Sequence, residues 1–545
     1  MIHNLADHLD GLARLHPELD AVIMAGKKNS AAHLKVSYRE LKELTCSYAS
    51  GLRGDGVQQG QRVLLMIPPG LELIAVTWAL YRLGAVPVLI DPGMGLQNLI
   101  RCIRRTKPEV FIGIPRAQWL SLTFRSSFSQ LKVRVTVGGK LPFGGSNTRQ
   151  YRKKSQPWTE NAKVKPHDLS AILFTSGSTG APKGVCYEMR HFDAQVNMLK
   201  THFGLRVGMR DLPLLPIFSL FNPALGMTSI IGRIPVSKPS KLDPQHIIDL
   251  LNEYEIEHSF GAPVLWKKII RYAQKNSIPL PTLKQVIMAG SEVSPLLVEL
   301  MNKWAPFAKI LTPYGATESL PLTLVDGETL LKTRELNESG QGHCVGKVLP
   351  GIEIKIIPLQ QGTIARGENI PEFLHCEIGE IIASGPVVTE AYDHMKEETD
   401  AAKIWEGHKV WHRLGDVGYF DAEGLLWYCG RAAHVVETSR GNSYSVCVEA
   451  VFNQHPDVYR TALIALGGKH PYVPAVVVEL EKGRKVVPAK LCIELQKLGV
   501  RYPHTASIRN FYIHPSFPVD VRHNAKIHRL ELGRWAAKQL PISFV

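Results

Sequence analysis

The segment Leu173-Phe-Thr-Ser-Gly-Ser-Thr-Gly-Ala-Pro-Lys-Gly-Val185 gathers the residues best suited to chemistry. Thr175, Ser176, Ser178 and Thr179 offer hydroxyl donors. Gly177, Gly180 and Gly184 let the backbone turn tightly and bring its N–H groups close to a ligand. Lys183 adds a point charge suited to phosphate. A polyphosphate is the natural ligand. The spacing is not that of the P-loop ATPases, which need Gly, four residues, then Gly-Lys-Ser/Thr. Counted from Gly177, Pro182 stands where the second Gly belongs and Gly184 where the metal-binding hydroxyl belongs. A magnesium ligand must come from elsewhere in the chain. A polar surface turn is the plainer reading of a Gly/Ser stretch, but here an apolar run, hydroxyls, glycines and a lysine coincide.

The elements that must position this loop alternate. Tyr38 begins a helix, Arg62–Ile67 reads as a buried strand, Glu72–Leu83 as a helix, Val86–Ile90 as a strand, Leu96–Thr106 as a helix and Val110–Ile114 as a strand. This is the pattern of a mostly parallel α/β sheet. The polar, basic stretch from Gly144 to His167 reads as a surface connector before the strand Ala171–Phe174. A second αβ series has helices at His246–Tyr254 and Val264–Lys275 and strands at Glu257–Phe260 and Gln285–Ala289, the last ending in Gly290-Ser291. From about residue 340 the pattern shifts to short strands and turns, including Gly351–Ile357, Gly379–Ser384 and Asp416–Phe420. After Gly430-Arg431 a new αβ module begins, with a helix near Val446–His455, strands at Thr461–Leu466 and Ala475–Leu480 and a helix at Pro488–Leu498.

At 545 residues the chain needs two to four domains. Its 45% apolar and 21% charged residues are ordinary for a globular protein. The net charge of +15 suits acidic ligands, nucleic acid or an anionic surface. The basic residues are spread out, however, and the densest cluster, Arg149 to Lys154, reads as a solvated loop with no nucleic-acid motif beside it. The 8 cysteines form no Cys-x-x-Cys pair and read as buried thiols of a reducing compartment. The N-terminus is not a signal peptide. The longest apolar region, Leu73 to Ile90, is broken by Arg82, Gly84 and Pro87, so no transmembrane segment is expected. A cytoplasmic protein follows, with peripheral membrane contact left open.

The Thr175–Gly184 loop, Tyr314-Gly-Ala-Thr-Glu318, Gly415-Asp416, Gly430-Arg431 and Lys526 together resemble the adenylate-forming superfamily of acyl-CoA ligases and luciferases. The resemblance covers nearly the whole chain. It implies an α/β fold: a large multi-subdomain N-terminal domain, about 1–430, with a β-rich subdomain, and a small mobile α+β domain, about 431–545, acting as a lid. A narrower resemblance rests on Leu215–Gly226, Trp411–Gly424 and Phe517–Lys526, which look like the bacterial olefin β-lactone synthetases.

The resemblance also implies roles. Thr175, Ser176, Gly177, Ser178, Thr179, Gly180 and Lys183 would cradle the β and γ phosphates of ATP. Thr317 would contact the α-phosphate and Glu318 would bind Mg2+. Tyr314 would lie against adenine, with Gly290 and Ser291 lining the same pocket. Residue type alone also allows plainer readings: a helix N-cap for Tyr314–Glu318 and a core tyrosine for Tyr314. Asp416 has two acceptor oxygens for the ribose hydroxyls, and Arg431 would reach ribose or phosphate. Lys526 would bridge the α-phosphate and the substrate carboxylate. His523 is either a base toward a substrate hydroxyl or a solvated side chain.

The activity implied is ATP-dependent conversion of a long-chain 2-alkyl-3-hydroxy acid to an acyl-adenylate. Intramolecular closure to a β-lactone then releases AMP, pyrophosphate having left in the first step. Two departures from the acyl-CoA ligases favour a tethered acceptor over coenzyme A: Ala433 stands at the hinge position that often holds Asp or Lys, and Ser219 lies where many members carry His. A long-chain acyl-CoA or acyl-AMP ligase is the alternative, and a non-enzymatic binder of nucleic acid or membrane surface a third. Other enzymes of the olefin pathway are the partners that the resemblance suggests.

Overall fold

The computed structural model describes residues 4–26, 34–139, 145–152, 158, 160–175, 181–235, 241–360, 362–365, 370–373, 375–467, 470–484, 486–519 and 527–542. Three sheet-based units follow in turn, except that the N-terminal strands Asp20–Met24 and Leu34–Ser37 join the second unit's sheet, where Asp20–Met24 pairs with Thr228–Ile231.

In the first, strands Arg62–Met66, Val86–Leu89, Val110–Gly113 and Leu169–Thr175 run parallel, with Leu64 opposite Val88 and Val88 opposite Ile172. They are short and apolar because both faces are covered. Helix Leu71–Leu83 packs on one face and helix Leu96–Thr106 on the other. The expected helix at Tyr38 spans Tyr38–Gly54. Its start is fixed by a capping box in which Glu40 N donates to Ser37 Oγ and Ser37 N donates to the Glu40 carboxylate.

The second unit continues the parallel theme with Arg210–Asp211, His258–Gly261, Gln285–Met288 and Lys309–Ala316 side by side. Helices Pro244–Glu253, Pro263–Asn276 and Pro295–Trp304 each carry Pro in the first turn, where a missing N–H costs nothing. The sheet then turns antiparallel through Ser319–Asp326, His343–Val348, Leu426–Arg431 and the 12-residue strand Lys409–Phe420. This is the β-rich region expected from residue 340 onward. The strand expected at Asp416 starts seven residues earlier.

The third unit is a three-stranded sheet of Val458–Leu466, Val473–Leu480 and Asn510–Ile513. Helices Ser445–Phe452, Pro488–Gly499 and Arg529–Ala536 pack on it.

One expectation changes. The 144–167 stretch is not a free connector: Asn147 caps a short helix, Thr148–Tyr151, whose Tyr151 is buried and hydrogen-bonds Asp55. Within the basic cluster Arg149 and Arg152 are exposed as expected, and Arg152 also donates to Tyr48 Oη at 2.9 Å and pairs with Glu72; Lys153 and Lys154 lie outside the described residues. Arg82, which interrupts the long apolar run, is fully buried. It binds Asp10, Thr45 Oγ1 at 2.8 Å and Asn161 Oδ1 at 2.8 Å, clamping the N-terminal helix Ala6–Leu15 to the first sheet's helices. No helix of the described residues is long and apolar enough to cross a membrane.

Removing one partner of a buried ion pair leaves the other uncompensated. Arg82→Leu is therefore expected to destabilise the N-terminal unit by about 3 kcal/mol, read as a lowered first unfolding transition in thermal or urea denaturation.

Candidate active site

The hydroxyl-rich loop is a hairpin connection. Lys183–Glu188 pairs antiparallel with Leu169–Thr175, and Lys183 stands directly opposite Thr175. A P-loop instead opens a helix. The strand after the loop is not apparent in the sequence. Ser176, Gly177, Ser178, Thr179 and Gly180 lie outside the described residues, as do Lys526 and His523 and the Thr175 side chain.

A second hairpin carries Tyr314 to Glu318. Strands Lys309–Ala316 and Ser319–Asp326 are antiparallel, with a bulge after Tyr314. Gly315 has φ +155°, and a Cβ there would lie 2.3 Å from Ser319 O, so only glycine lets the turn close. The helix N-cap reading of this motif is thus replaced by a β-turn that puts Thr317 and Glu318 at its tip. Tyr187 donates its hydroxyl to Thr317 O, and Gln195 Nε2 donates to Leu320 O at 2.8 Å. Tyr187 lies on the second strand of the first hairpin and Gln195 on the helix Met189–His202 that follows it, so the two hairpins are held together.

Tyr314 donates to Asp416 Oδ2 at 2.7 Å, and Arg431 Nη1 sits 2.9 Å from Asp416 Oδ1. Asp416 and Arg431 are register partners on neighbouring antiparallel strands. Burial, reinforced by Asp416, pushes the Tyr314 hydroxyl well above its ordinary pKa, so it stays a neutral donor. Tyr314 is half-buried, not a core tyrosine, and its ring lies 6.1 Å from that of Tyr428. Gly290, with φ +94° and open space where a Cβ would stand, follows the strand beside Lys309–Ala316, and the shared register brings it level with Tyr314. Ser291 is half-buried next to it.

Glu318 is gripped by residues without a motif. Its Oε1 accepts from Tyr392 Oη at 2.7 Å, and its carbonyl accepts from Thr389 N at 2.9 Å and Thr389 Oγ1 at 3.1 Å. Lys183 Nζ lies 4.7 Å from the Tyr392 ring centroid, so one tyrosine connects the loop lysine to the acid. Beneath them Lys403, 3% exposed, donates to Thr389 O. Burial pushes its pKa down to about 7. Glu318 and Glu390 oppose the fall, and Lys183 adds to it. Nothing in the local sequence distinguishes Tyr392, Thr389 or Lys403. They become visible only when the strand Lys403–Glu406 and residues 389–392 are brought against the hairpin.

Pro313 and Thr317 open onto an apolar cavity of about 1030 Å³. Its walls come from both α/β units, Leu65, Leu89 and Leu120 on one side and Leu214, Phe260 and Leu265 on the other. That volume lies at the top of the usual range for small-molecule sites. Ser219 is buried beside it and donates to Pro216 O at 2.6 Å, while Ala433 lies in a short turn, Ala432–His434, just past Arg431.

The model of the AMP-binding enzyme family matches residues 11–393. The chain belongs to the AMP-binding enzyme family. It is an adenylate-forming ligase dependent on ATP, and the matched stretch contains both hairpins. Asp416, Arg431 and Lys526 lie beyond that stretch but within full-length relatives. The chain is 40% identical to the olefin β-lactone synthetase of Xanthomonas campestris pv. campestris, over 98% of each chain, and 40% identical to that of Stenotrophomonas maltophilia over the same share. Identity to a 4-chlorobenzoate–CoA ligase of Arthrobacter is 24% over 87% of each chain. The fold is that of the amide bond synthetase McbA from Marinactinospora thermotolerans, with a TM-score of 0.80 at 20% identity, covering 98% of this chain and 99% of that one.

The Lys403 shift has a direction that can be measured. Its folded pKa lies below the unfolded value of about 10.4, so between about pH 7 and pH 10 the unfolded chain holds a proton that the folded chain has released. Stability from this group rises with pH across that window by up to about 1.4 kcal/mol per unit, and the full burial cost persists below it. The melting temperature of the wild type relative to Lys403→Met is therefore expected to climb from pH 7 to pH 10. A flat difference would refute the shift.

Proposed function

We propose that the chain activates a long-chain 2-alkyl-3-hydroxy acid as its acyl-adenylate and lets the acid's own 3-hydroxyl close a β-lactone. The observation that carries this reading is the large apolar cavity lined by Thr317, a residue that stands in its hairpin between Tyr314, bound to Asp416, and Glu318, bound to Tyr392. The full-length likeness to olefin β-lactone synthetases supports the same substrate class.

A carboxylate is a poor acyl donor because its leaving group would be oxide. In the first step a carboxylate oxygen bonds to the α-phosphorus of ATP and the bond to pyrophosphate breaks. On our reading Thr175 to Gly180 and Lys183 hold the departing phosphates, Thr317 the α-phosphate and Tyr314, Gly290 and Ser291 the adenine. Asp416 and Arg431 face the ribose. Tyr314 and Arg431 already occupy Asp416, so they fix its orientation before the nucleotide arrives. Glu318 suits Mg2+, an ion usually bound through one or two carboxylates plus substrate phosphates. The ion would neutralise phosphate charge. Lys526, which the lid of residues 431–545 would carry in, supplies charge between carboxylate and phosphate.

In the second step the 3-hydroxyl oxygen attacks the acyl carbon, the bond to AMP breaks and the hydroxyl proton leaves to a base. A tethered hydroxyl has a high effective concentration and needs no second substrate. Ser219 and Ala433 at positions often occupied otherwise in acyl-CoA ligases favour this path over thioester formation. On this reading the chain works in the cytoplasm, a setting that its free and mostly buried thiols suit. Enzymes that supply the hydroxy acid and consume the lactone are its partners.

The test is incubation with ATP, Mg2+ and a 2-alkyl-3-hydroxy acid without coenzyme A. Mass spectrometry should find the acid less one water. A product that appears only with coenzyme A, as a thioester, would favour the acyl-CoA ligase reading instead. Lys526→Ala should lower acid-dependent pyrophosphate exchange by about 10²-fold or more, and near-normal exchange would remove Lys526 from its role.

A further inference from the structure

The apolar cavity has a polar floor. Asp211 is 2% exposed and His258 4% exposed, yet both line the cavity. His258 Nδ1 lies 2.8 Å from Asp211 Oδ1, and Asn222 Nδ2 donates to Asp211 Oδ2 at 2.7 Å and to Ser229 Oγ at 2.8 Å. Both carboxylate oxygens are thus engaged. A carboxylate only accepts, so the shared proton sits on Nδ1, and in the neutral imidazole Nε2 presents a lone pair. That buried Nε2 has no hydrogen-bond partner among the described residues.

Register fixes how deep this group lies. Asp211, His258, Gln285 and Lys309 form one row across four parallel strands. Tyr314 stands five residues farther along the last of them, roughly 16 Å at about 3.3 Å per residue. The 3-hydroxyl is next to the carboxylate and therefore near Thr317. His258 is too far away to take its proton, so it is not the ring-closing base.

We propose that Asp211 and His258 form a recognition subsite for a hydroxyl carried on the acid's alkyl chain, well away from the reacting carboxylate. Asp211 orients the imidazole, and Nε2 accepts the hydrogen bond of the chain hydroxyl. A wholly apolar chain leaves the buried Nε2 unmatched, whereas a hydroxylated chain matches it. Sites built around a substrate hydroxyl reject analogues lacking it far more strongly than apolar walls discriminate by size. This proposal rests on the acyl-adenylate reading above and specifies its substrate.

The experiment walks one hydroxyl along the chain of a long-chain acid and compares each isomer with its unsubstituted parent by pyrophosphate exchange. The readout is the ratio of the two kcat/KM values, in which a general loss of activity cancels. The wild type should favour one distal isomer by at least about tenfold, and His258→Leu should bring that ratio to one or below. Asp211→Asn keeps the shape but turns the hydrogen bond round. Its amide can donate to Nδ1, so Nε2 carries the proton and the preference should pass from the hydroxyl to the corresponding oxo acid. A flat ratio along the wild-type series, or an Asp211→Asn variant that keeps the hydroxyl preference, would overturn the floor alone. No exchange with any acid would overturn the adenylation reading and this proposal with it.

Discussion

The Asp416 carboxylate, 5% exposed, is where the parts of the site are tied together. It takes the Tyr314 hydroxyl on one oxygen and the Arg431 guanidinium on the other. Tyr314 belongs to the strand that extends the parallel sheet. Asp416 and Arg431 belong to two strands of the antiparallel region, and Arg431 ends just where the chain leaves for its third unit. One buried acid thus fixes the relative placement of three strands. A charge so enclosed needs both partners: removing either would leave it uncompensated in a medium far less polar than water. The arrangement of hairpin, sheet and inter-unit junction follows from satisfying that one group.

The second cluster solves a different problem. On the proposed reading, polyphosphate would bring several negative charges to a pocket that already holds Glu318. Lys183 Nζ lies over the Tyr392 ring, while Lys403 is enclosed and held by Thr389 O. The Tyr392 hydroxyl fixes one oxygen of Glu318, and Thr389 fixes its backbone from the other side. Charges oriented in advance need not reorganise as bonds break, and in a partly dry site each is worth more than it would be in water. The density of buried titratable groups here is that of a functional site more than of a structural core.

What the sequence made legible divides along physical lines. Short buried strands and their helices could be read because each is a run of apolar residues bounded by Gly or Pro. The helix Leu96–Thr106 has the bounds its pattern predicts. The hairpin at Tyr314–Glu318 could not be read, because Thr and Glu after a turn look like a helix start. Pairing with Ser319–Asp326, a tertiary fact, decides otherwise. Arg82 and Lys403 look like surface charges in one dimension and are buried in three. Asp211 and His258 are 47 residues apart, and only the register of two strands places them together. The glycine- and hydroxyl-rich motifs stand out in the sequence because their chemistry is local; the residues that hold them in place do not, because their role is defined by what packs against them.

The cavity completes the logic. Its walls come from both α/β units, so neither unit alone encloses it, and Thr317 at the hairpin tip, where we propose the acid's carboxyl group lies, is part of its lining. Apolar walls on two sides keep water from the mixed anhydride, which would otherwise hydrolyse. The same walls restrict the freedom of a bound chain and so hold a 3-hydroxyl near the acyl carbon. Enclosure that protects the intermediate therefore also favours the nucleophile already attached to it over any that must diffuse in, and a hydrophobic cavity of this size becomes part of the reaction's selectivity rather than only a binding site for its substrate.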